Sequence, residues 1–139
     1  MKKNESIDQV LTRDVITVHV GQNVSDVRKI FAKHGFHHVP VVSGKKLIGI
    51  LSASDILGIS VEGIGTDERS MDAYIDHQFS IEGLMQQNLK TITTKSHVAD
   101  AAEVLSDGRV HAVPVLDEGD ELVGLVTSTD LIRFLRDQF

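Results

Sequence analysis

The chain contains two copies of one unit, and this internal duplication restricts its fold more than any other feature. When the sequence is shifted by 74 positions, Val39-Pro40-Val41 falls on Val113-Pro114-Val115, and these segments hold the chain's two prolines. When it is shifted by 75 positions, Asp55 falls on Asp130. A repeat of this length indicates one supersecondary unit formed twice.

The offset between the copies changes inside a predicted β-hairpin. In the first copy, Ser43-Gly44-Lys45-Lys46 joins two predicted strands, Val39–Val42 and Leu47–Leu51. In the second copy, Asp117-Glu118-Gly119-Asp120-Glu121 joins the matching strands with one residue more. Short polar loops that contain glycine are typical of hairpins. The extra residue therefore lies where the fold tolerates an insertion.

Hydrophobic spacing predicts the order β-α-β-β-α in each copy. Apolar residues at positions 24, 27, 30 and 31 predict a helix over Val24–His34, with Asn23 as its N-cap and Gly35 as its left-handed C-terminal residue. The strand-helix-strand connection predicts parallel pairing of the first two strands. The other predicted elements are short leading helices at Ile7–Leu11 and Ile81–Met85, first strands at Val15–Val18 and Leu89–Ile92, and a second-copy helix over Val98–Asp107 that ends at Gly108.

The predicted fold class is α/β (α+β), with two β-α-β-β-α repeats and a connecting segment. Repeat one spans 7–60, a linker with a short helix near Ser70–His77 spans 61–80, and repeat two spans 81–139. Within the linker, Gly63-Ile64-Gly65 resembles part of a nucleotide-binding glycine loop. It lacks the third glycine and the preceding strand, so we assign it no binding role.

The segment Gly124–Asp130 indicates where the chemistry lies, because it predicts a strand that turns into a helix. It reads glycine, two aliphatic residues, a hydroxyl, a small residue, a hydroxyl and aspartate, and Gly49–Asp55 repeats this pattern. Free N–H groups at a helix start attract anions, and an adjacent carboxylate can accept both hydroxyls of a ribose. The alternative is a helix capped by Thr127 or Thr129, with the aspartate satisfied locally. Two copies of the pattern favour a nucleoside phosphate ligand.

Composition limits the classes of partner. The net charge is −6, which argues against broad nucleic-acid binding, because that requires a positive surface. No apolar run approaches the ~20 residues of a membrane span, and no signal segment follows the first residues. The absence of cysteine excludes disulfides and thiolate metal sites and is consistent with a reducing cytoplasm. We therefore expect a cytoplasmic protein with a small-molecule ligand and no nucleic acid or membrane partner.

These residues resemble the CBS domain, named after cystathionine β-synthase, present as a tandem pair (a Bateman module). The resemblance rests on the Val-Pro-Val strand, the glycine-aliphatic-aliphatic-hydroxyl-x-x-aspartate turn and the duplication, and it covers nearly the whole chain apart from the linker. It implies a pseudo-two-fold pair with two clefts between the repeats. It also implies a sensor without a required cofactor, whose ligand is AMP, ADP, ATP or S-adenosylmethionine.

The resemblance assigns roles to matching positions in the repeated turns. Asp55 and Asp130 match carboxylates that bind ribose. Ser52 and Thr127 match hydroxyls that meet phosphate or ribose. Arg133, one turn after Asp130, could reach a phosphate or could be a solubilising charge at the chain's end.

The first strand of each repeat supplies the predicted adenine contact. Ile16 and Lys90 match positions whose backbone pairs with the adenine edge in the family. Each of them precedes a threonine, Thr17 in the first repeat and Thr91 in the second. All four residues are therefore predicted to bind ligand.

Histidines cluster before the first proline. In family members the residues two and three before each proline line the cleft, and here these include His37 and His38, and His111 in the second repeat. The unequal number of imidazoles implies unequal affinity in the two clefts. On a continuous helix His34 and His38 would share a face, as in some zinc sites, but Gly35 interrupts that helix, and we predict no metal. A phosphate contact and a partly buried histidine without a ligand are the other interpretations.

Two function classes follow from the sequence. The first is a regulatory module that senses an adenine nucleotide or adenosyl ligand and transmits the signal to an unidentified partner. The second is a ligand-free interaction or dimerisation module. No set of nucleophile, base and orienting group can be assembled, so we predict no enzyme. The apolar residues Leu131, Ile132, Leu135 and Phe139 on the final helix predict a homodimer.

Overall fold

The computed structural model describes residues 4–60 and 67–139, and its mixture of helices and strands confirms the predicted fold class. One compact unit contains the residues up to Val15 together with Leu89–Phe139, and the other runs from Ile16 to Asn88. The Gly63-Ile64-Gly65 segment lies outside the described residues. The elements are a 3-10 helix at Ile7–Gln9, β1 Thr12–Arg13, α1 Val24–His34, β2 His38–Ser43, β3 Lys46–Ser52, α2 Ala53–Ser60, α3 Glu68–Gln78, α4 Ile81–Leu84, β4 Ile92–Thr93, α5 Val98–Leu105, β5 Ala112–Leu116, β6 Leu122–Thr127 and α6 Ser128–Arg136.

In the unit from Ile16 to Asn88, strands β2 and β3 form the predicted hairpin. The strand expected at Val15–Val18 is wrong in extent, because only Val18 bridges β2, in parallel with Val41. A positive φ of 55° at Asp14 turns the chain just before this segment. The parallel direction is as predicted. The buried core consists of Val18, Val24, Val27, Val39, Val41, Leu51, Ile56, Ile59, Ile75 and Ile81.

Helix α1 begins and ends where its sequence predicts. The carboxylate of Asp26 accepts a hydrogen bond from the N–H of Asn23 at 3.0 Å. At the other end, Gly35 adopts a left-handed φ of 71° and its N–H donates to the Phe31 carbonyl at 3.3 Å. Only glycine adopts this backbone conformation without steric cost. These local bonds confirm the predicted helix.

Helix α3 packs against α1 and contributes to the core of its unit. The helix expected near Ser70–His77 is present, and its Ile75 is fully buried. Arg28 of α1 donates from Nε to the Asp72 carboxylate at 3.1 Å. This hydrogen bond raises the pKa of Arg28 above its ordinary value.

A second polar contact joins the same two helices at the start of α1. The carboxylate of Asp76 accepts hydrogen bonds from the backbone N–H of Ser25 at 2.8 Å and from its hydroxyl at 2.6 Å. Ser25 is buried, with 5% of its surface exposed. Asp76 therefore satisfies a donor in the first turn of α1 that the helix itself leaves unpaired.

The other unit contains a four-stranded sheet in the order β1-β6-β5-β4. Strand β4 pairs with β5 in parallel, as predicted. The strand expected at Leu89–Ile92 is shifted: it begins at Ile92, because the ladder with β5 reaches only Val115 and Leu116. The core of this unit consists of Ile7, Val10, Val98, Ala101, Leu105, Val113, Val115 and Val126.

Helix α5 is shorter than predicted. It ends at Leu105 and not at Asp107. The hydroxyl of Ser106 donates to the Glu103 carbonyl at 2.9 Å, so a side chain satisfies one of the last helical carbonyls. Gly108 then adopts a positive φ of 77° and reverses the chain beyond the helix end.

Each leading helix lies in the compact unit of the other repeat. Ile7 is fully buried with the core of the second repeat, and Ile81 is buried to 1% exposure in the core of the first. The backbone N–H of Ile7 donates to the carbonyl of Ser96 at 3.0 Å. Each short helix therefore contributes a buried residue to the core of the other repeat, and we call this the exchange of the leading helices.

This exchange explains the glycine that opens each repeated turn. A Cβ on Gly124 would overlap the carbonyl of Thr12 and would lie 2.9 Å from Cδ1 of Leu11. A Cβ on Gly49 would lie 2.5 Å from Sδ of Met85. A neighbouring segment therefore approaches both glycines closely, with backbone at Gly124 and with a flexible side chain at Gly49.

Helix α6 and the residues after it leave an apolar face outside the core. Leu131 packs against the core of its unit. Ile132, Leu135 and Phe139 are 65%, 42% and 97% exposed. Of the four apolar residues assigned to a dimer surface, three are therefore available for one. Among residues 4–60 and 67–139, no helix has the length and apolarity to cross a membrane.

Candidate functional site

The turn from β6 into α6 places the carboxylate of Asp130 at the start of the helix. Thr127 is the N-cap, and its hydroxyl accepts from the N–H of Asp130 at 3.2 Å. The Asp130 carboxylate in return accepts from the N–H of Thr127 at 2.8 Å and from its hydroxyl at 3.1 Å. This reciprocal capping box orients the carboxylate. Of the two hydroxyls proposed as caps, Thr127 and not Thr129 forms the cap, because it lies three residues before Asp130.

The turn from β3 into α2 repeats this arrangement in the other unit. The hydroxyl of Ser52 accepts from the N–H of Asp55 at 3.2 Å, and the carboxylate of Asp55 accepts from the N–H of Ser52 at 3.1 Å. Both side chains are half-buried, as are Thr127 and Asp130. The two turns thus share the reciprocal capping bonds, and among the described residues only the turn at Asp130 adds a hydroxyl-to-carboxylate bond.

The carboxylate of Asp130 has a further partner that the sequence did not suggest. The hydroxyl of Thr12, in β1, donates to Oδ1 of Asp130 at 3.1 Å. Strand β1 lies beside β6, with Thr12 opposite Leu125. No motif links two residues 118 positions apart, so only the strand pairing reveals this contact.

The histidines before the first proline lie next to the first turn. His38 is opposite Ser52 in the hairpin, and the carbonyl of His37 accepts from the N–H of Ala53 at 2.8 Å. The side chain of His37 is exposed and that of His38 is half-buried. In the second repeat His111 is exposed and directly precedes the residue opposite Thr127. Strand pairing therefore brings each set of predicted site residues to one end of its hairpin.

The predicted adenine-contact residues approach the same end of each sheet. Because Val18 pairs in parallel with Val41, Ile16 and Thr17 extend towards the start of β2. Lys90 and Thr91 precede β4, which pairs in parallel with β5, and extend in the same way towards the start of β5. Ile16 is half-buried, and the other three residues are exposed.

The histidine arrangement required for a helical zinc site is not formed. Helix α1 ends at His34, and His38 begins β2. The ring of His34 stacks on Phe36, with centroids 5.2 Å apart and planes at 14°. Within residues 4–60 and 67–139, no three His, Asp or Glu side chains converge as a metal site would require.

A cavity of about 320 Å³ lies beside Asp130 in the unit that contains α6. Residues 9–12 line the cavity on one segment, and Asp130, Arg133, Phe134, Asp137 and Gln138 line it on the other. Arg133, which the sequence placed one turn after Asp130, is exposed at this cavity. The cavity thus brings together the carboxylates of Asp130 and Asp137, the guanidinium of Arg133 and the hydroxyl of Thr12.

Comparison with known proteins shows one family and several relatives. A family model described as CBS domain matches the chain twice, at residues 7–62 and 81–137. The chain is 28% identical over 137 residues to the protein MJ1225 of Methanocaldococcus jannaschii, covering 95% of this chain and 48% of that protein. It is 26% identical over 131 residues to an inosine-5'-monophosphate dehydrogenase of Korarchaeum cryptofilum, covering 94% of this chain and 24% of that enzyme. The chain thus spans about half, or less, of the length of these curated relatives.

A solved structure extends the comparison to a complex with ligands. It is the CBS domain pair of the protein MJ0100, solved with 5'-methylthioadenosine and S-adenosyl-L-methionine. This chain is 27% identical to it and superposes with a TM-score of 0.76, covering 94% of this chain and 98% of the other.

Proposed function

The chain belongs to the CBS domain family, and on that premise we propose that it is a regulatory module that binds an adenine nucleotide or another adenosyl ligand. The observation that carries this proposal is the repeated carboxylate-hydroxyl turn, formed by Ser52 with Asp55 and by Thr127 with Asp130. A relative with 27% identity over almost its whole length was solved with two adenosyl ligands. The module acts by binding and not by catalysis.

Each aspartate binds the ribose of a ligand. Asp55 and Asp130 are half-buried, so a hydroxyl that donates to either carboxylate does so in a partly desolvated position. Hydrogen bonds to an ionised acceptor are shorter and stronger than neutral ones. The capping bonds hold each carboxylate in place before the ligand arrives, which reduces the entropy lost on binding.

The residues around each turn contact the remaining parts of the ligand. His37, His38 and the backbone at Ile16 and Thr17 line the Asp55 site. His111 and the backbone at Lys90 and Thr91 line the Asp130 site, where Arg133 is the cation for a phosphate. The shared end of each hairpin supports these assignments. The cavity beside Asp130 supports that of Arg133 and does not include His111, Lys90 or Thr91.

The signal is transmitted to a regulated protein through surfaces outside the sites. We propose that two chains associate through Ile132, Leu135 and Phe139, whose exposed apolar surface a homodimer would cover. Light scattering at micromolar concentration should give twice the chain mass for the wild type and the single mass for Ile132→Asp. A single mass for the wild type would exclude the homodimer.

Calorimetric titration with AMP, ADP, ATP and S-adenosylmethionine tests the binding proposal. Asp130→Ala and Asp55→Ala should each weaken binding at one site by about tenfold to a few hundredfold, because each removes charge-assisted hydrogen bonds worth about 1.5–3 kcal/mol.

The chain provides a matched control for each variant. Asp100 and Asp26 accept the N–H of the N-cap residue of α5 and α1 at 2.8 and 3.0 Å, as Asp130 and Asp55 do in α6 and α2. Asp100→Ala and Asp26→Ala should therefore remove a similar capping hydrogen bond and lower stability by about 0.5–2 kcal/mol. They should leave the affinity for the ligand unchanged. Equal affinity loss in the control variants would show that the aspartates act through folding alone.

The alternative is a ligand-free interaction module, favoured by the exposed apolar face of α6. It predicts that the wild type binds none of the four ligands but still self-associates. The same titration therefore separates the two functions.

A further inference from the structure

The two proposed ribose-binding carboxylates differ in how many hydrogen bonds they already accept. Asp130 accepts three, from the N–H and hydroxyl of Thr127 and from the hydroxyl of Thr12. Asp55 accepts one from the described residues, from the N–H of Ser52. A carboxylate offers about four acceptor positions. Counting partners among residues 4–60 and 67–139, one position therefore remains at Asp130 and three remain at Asp55.

Part of the difference arises from the segments that cross the two hairpins. Gln86, 74 positions after Thr12, bridges Ile50 of β3 as Thr12 pairs with Leu125 of β6. Thr12 and Gln86 are thus equivalent in the two repeats. The short hydroxyl of Thr12 donates to Asp130, whereas the described residues show no hydrogen bond from Gln86 to Asp55. The difference at this position therefore accounts for one of the two additional hydrogen bonds at Asp130, and the hydroxyl of Thr127 donates the other.

We propose that Thr12 is a specificity-determining residue that limits the Asp130 site to one ribose hydroxyl, while the Asp55 site accepts the 2′- and 3′-hydroxyls together. This inference rests on the proposed function, because it concerns the same ribose contacts. A ribose that donates both hydroxyls to Asp130 must displace Thr12. The Asp55 site therefore selects ribose against deoxyribose, and the Asp130 site does so weakly.

The test measures each site alone by calorimetry, with AMP, 2′-deoxy-AMP and 3′-deoxy-AMP as probes. Asp130→Ala leaves the Asp55 site, and both deoxy probes should bind it about tenfold or more weaker than AMP. Asp55→Ala leaves the Asp130 site, and at least one deoxy probe should bind it within about threefold of AMP.

Removing the Thr12 hydroxyl should give the Asp130 site the ribose selectivity proposed for the Asp55 site. In the Asp55→Ala background, Thr12→Val frees an acceptor position on Asp130. AMP should then bind about tenfold tighter, and both deoxy probes should lose about tenfold relative to AMP. Thr94→Val is the matched control, because Thr94 lies in the same unit and its counterpart 74 positions earlier is Val20. It should leave all three affinities unchanged.

The outcomes separate this inference from the proposed function. If AMP binds both sites but the deoxy ratios are equal, or are unmoved by Thr12→Val, the inference fails and the proposed function stands. If Thr12→Val weakens AMP, the hydroxyl supports binding, and the inference is again overturned. If AMP binds neither site, AMP sensing fails and this inference fails with it.

Discussion

The packing of α3 against α1 predicts a large loss of stability when Ile75 is shortened. Ile75 is fully buried, and Ile75→Ala removes three carbon atoms from the core. At about 0.8 kcal/mol per buried methylene this costs about 2.4 kcal/mol of transfer free energy. The cavity term adds to this, so the free energy of unfolding should fall by about 3–4 kcal/mol.

Urea denaturation followed by circular dichroism measures this change. With a slope of about 1–3 kcal/mol per molar, the midpoint should fall by about 1–4 M. Ile75→Val should cost only about 0.5–1.5 kcal/mol. Leu57→Ala is the control, since Leu57 lies on α2 of the same unit and is 69% exposed. It should change stability by less than about 0.5 kcal/mol.

The result that would refute this reasoning is an Ile75→Ala variant as stable as Leu57→Ala. The segment of α3 would then be a solvated connection, and its ion pair with α1 would not be held by a shared core. Hydrogen exchange of the α3 amides provides a second measurement. The amides of a packed helix exchange slowly, through rare opening events, whereas those of a solvated helix exchange quickly.

Three further outcomes are expected. Gly124→Ala should lower the melting temperature more than Gly49→Ala, because its new methyl group meets backbone and not a flexible side chain; equal melting temperatures would contradict the packing described. Asp76→Ala should reduce the unfolding free energy by about 1–3 kcal/mol in urea, since it leaves the buried donors of Ser25 unpaired; a neutral result would show that water replaces the carboxylate. The pKa of Asp67 lies below its ordinary value because its carboxylate accepts hydrogen bonds at the start of α3. Its contribution to the free energy of unfolding is therefore present above the ordinary pKa and is lost as pH falls through the lowered one. Urea denaturation across acidic pH should show this loss in the wild type and not in Asp67→Asn.

The sequence by itself determined the features that depend on neighbouring residues. The two Val-Pro-Val segments revealed the duplication, and Asn23 and Gly35 marked the ends of α1. The repeated turns at Asp55 and Asp130 form capping boxes, because their hydrogen bonds join residues three positions apart. Local bonds of this kind are encoded in contiguous residues and survive any arrangement of the remainder.

Sequence spacing was less informative where an element depends on a distant partner. The first strands are shorter than predicted and comprise only a bridge at Val18 and a strand at Ile92–Thr93. A strand extends only as far as the neighbour with which it pairs. Periodicity shows that a segment can be a strand but not how many of its residues find partners.

Only the tertiary structure decided the exchange of the leading helices and the second partner of Asp130. Thr12 and Asp130 are 118 positions apart, and their contact exists because β1 pairs with β6 of the other repeat. The packing of Ile75 likewise depends on where α3 meets α1. Burial and long-range hydrogen bonding are properties of the assembled chain, and a single sequence leaves the choice among distant partners open.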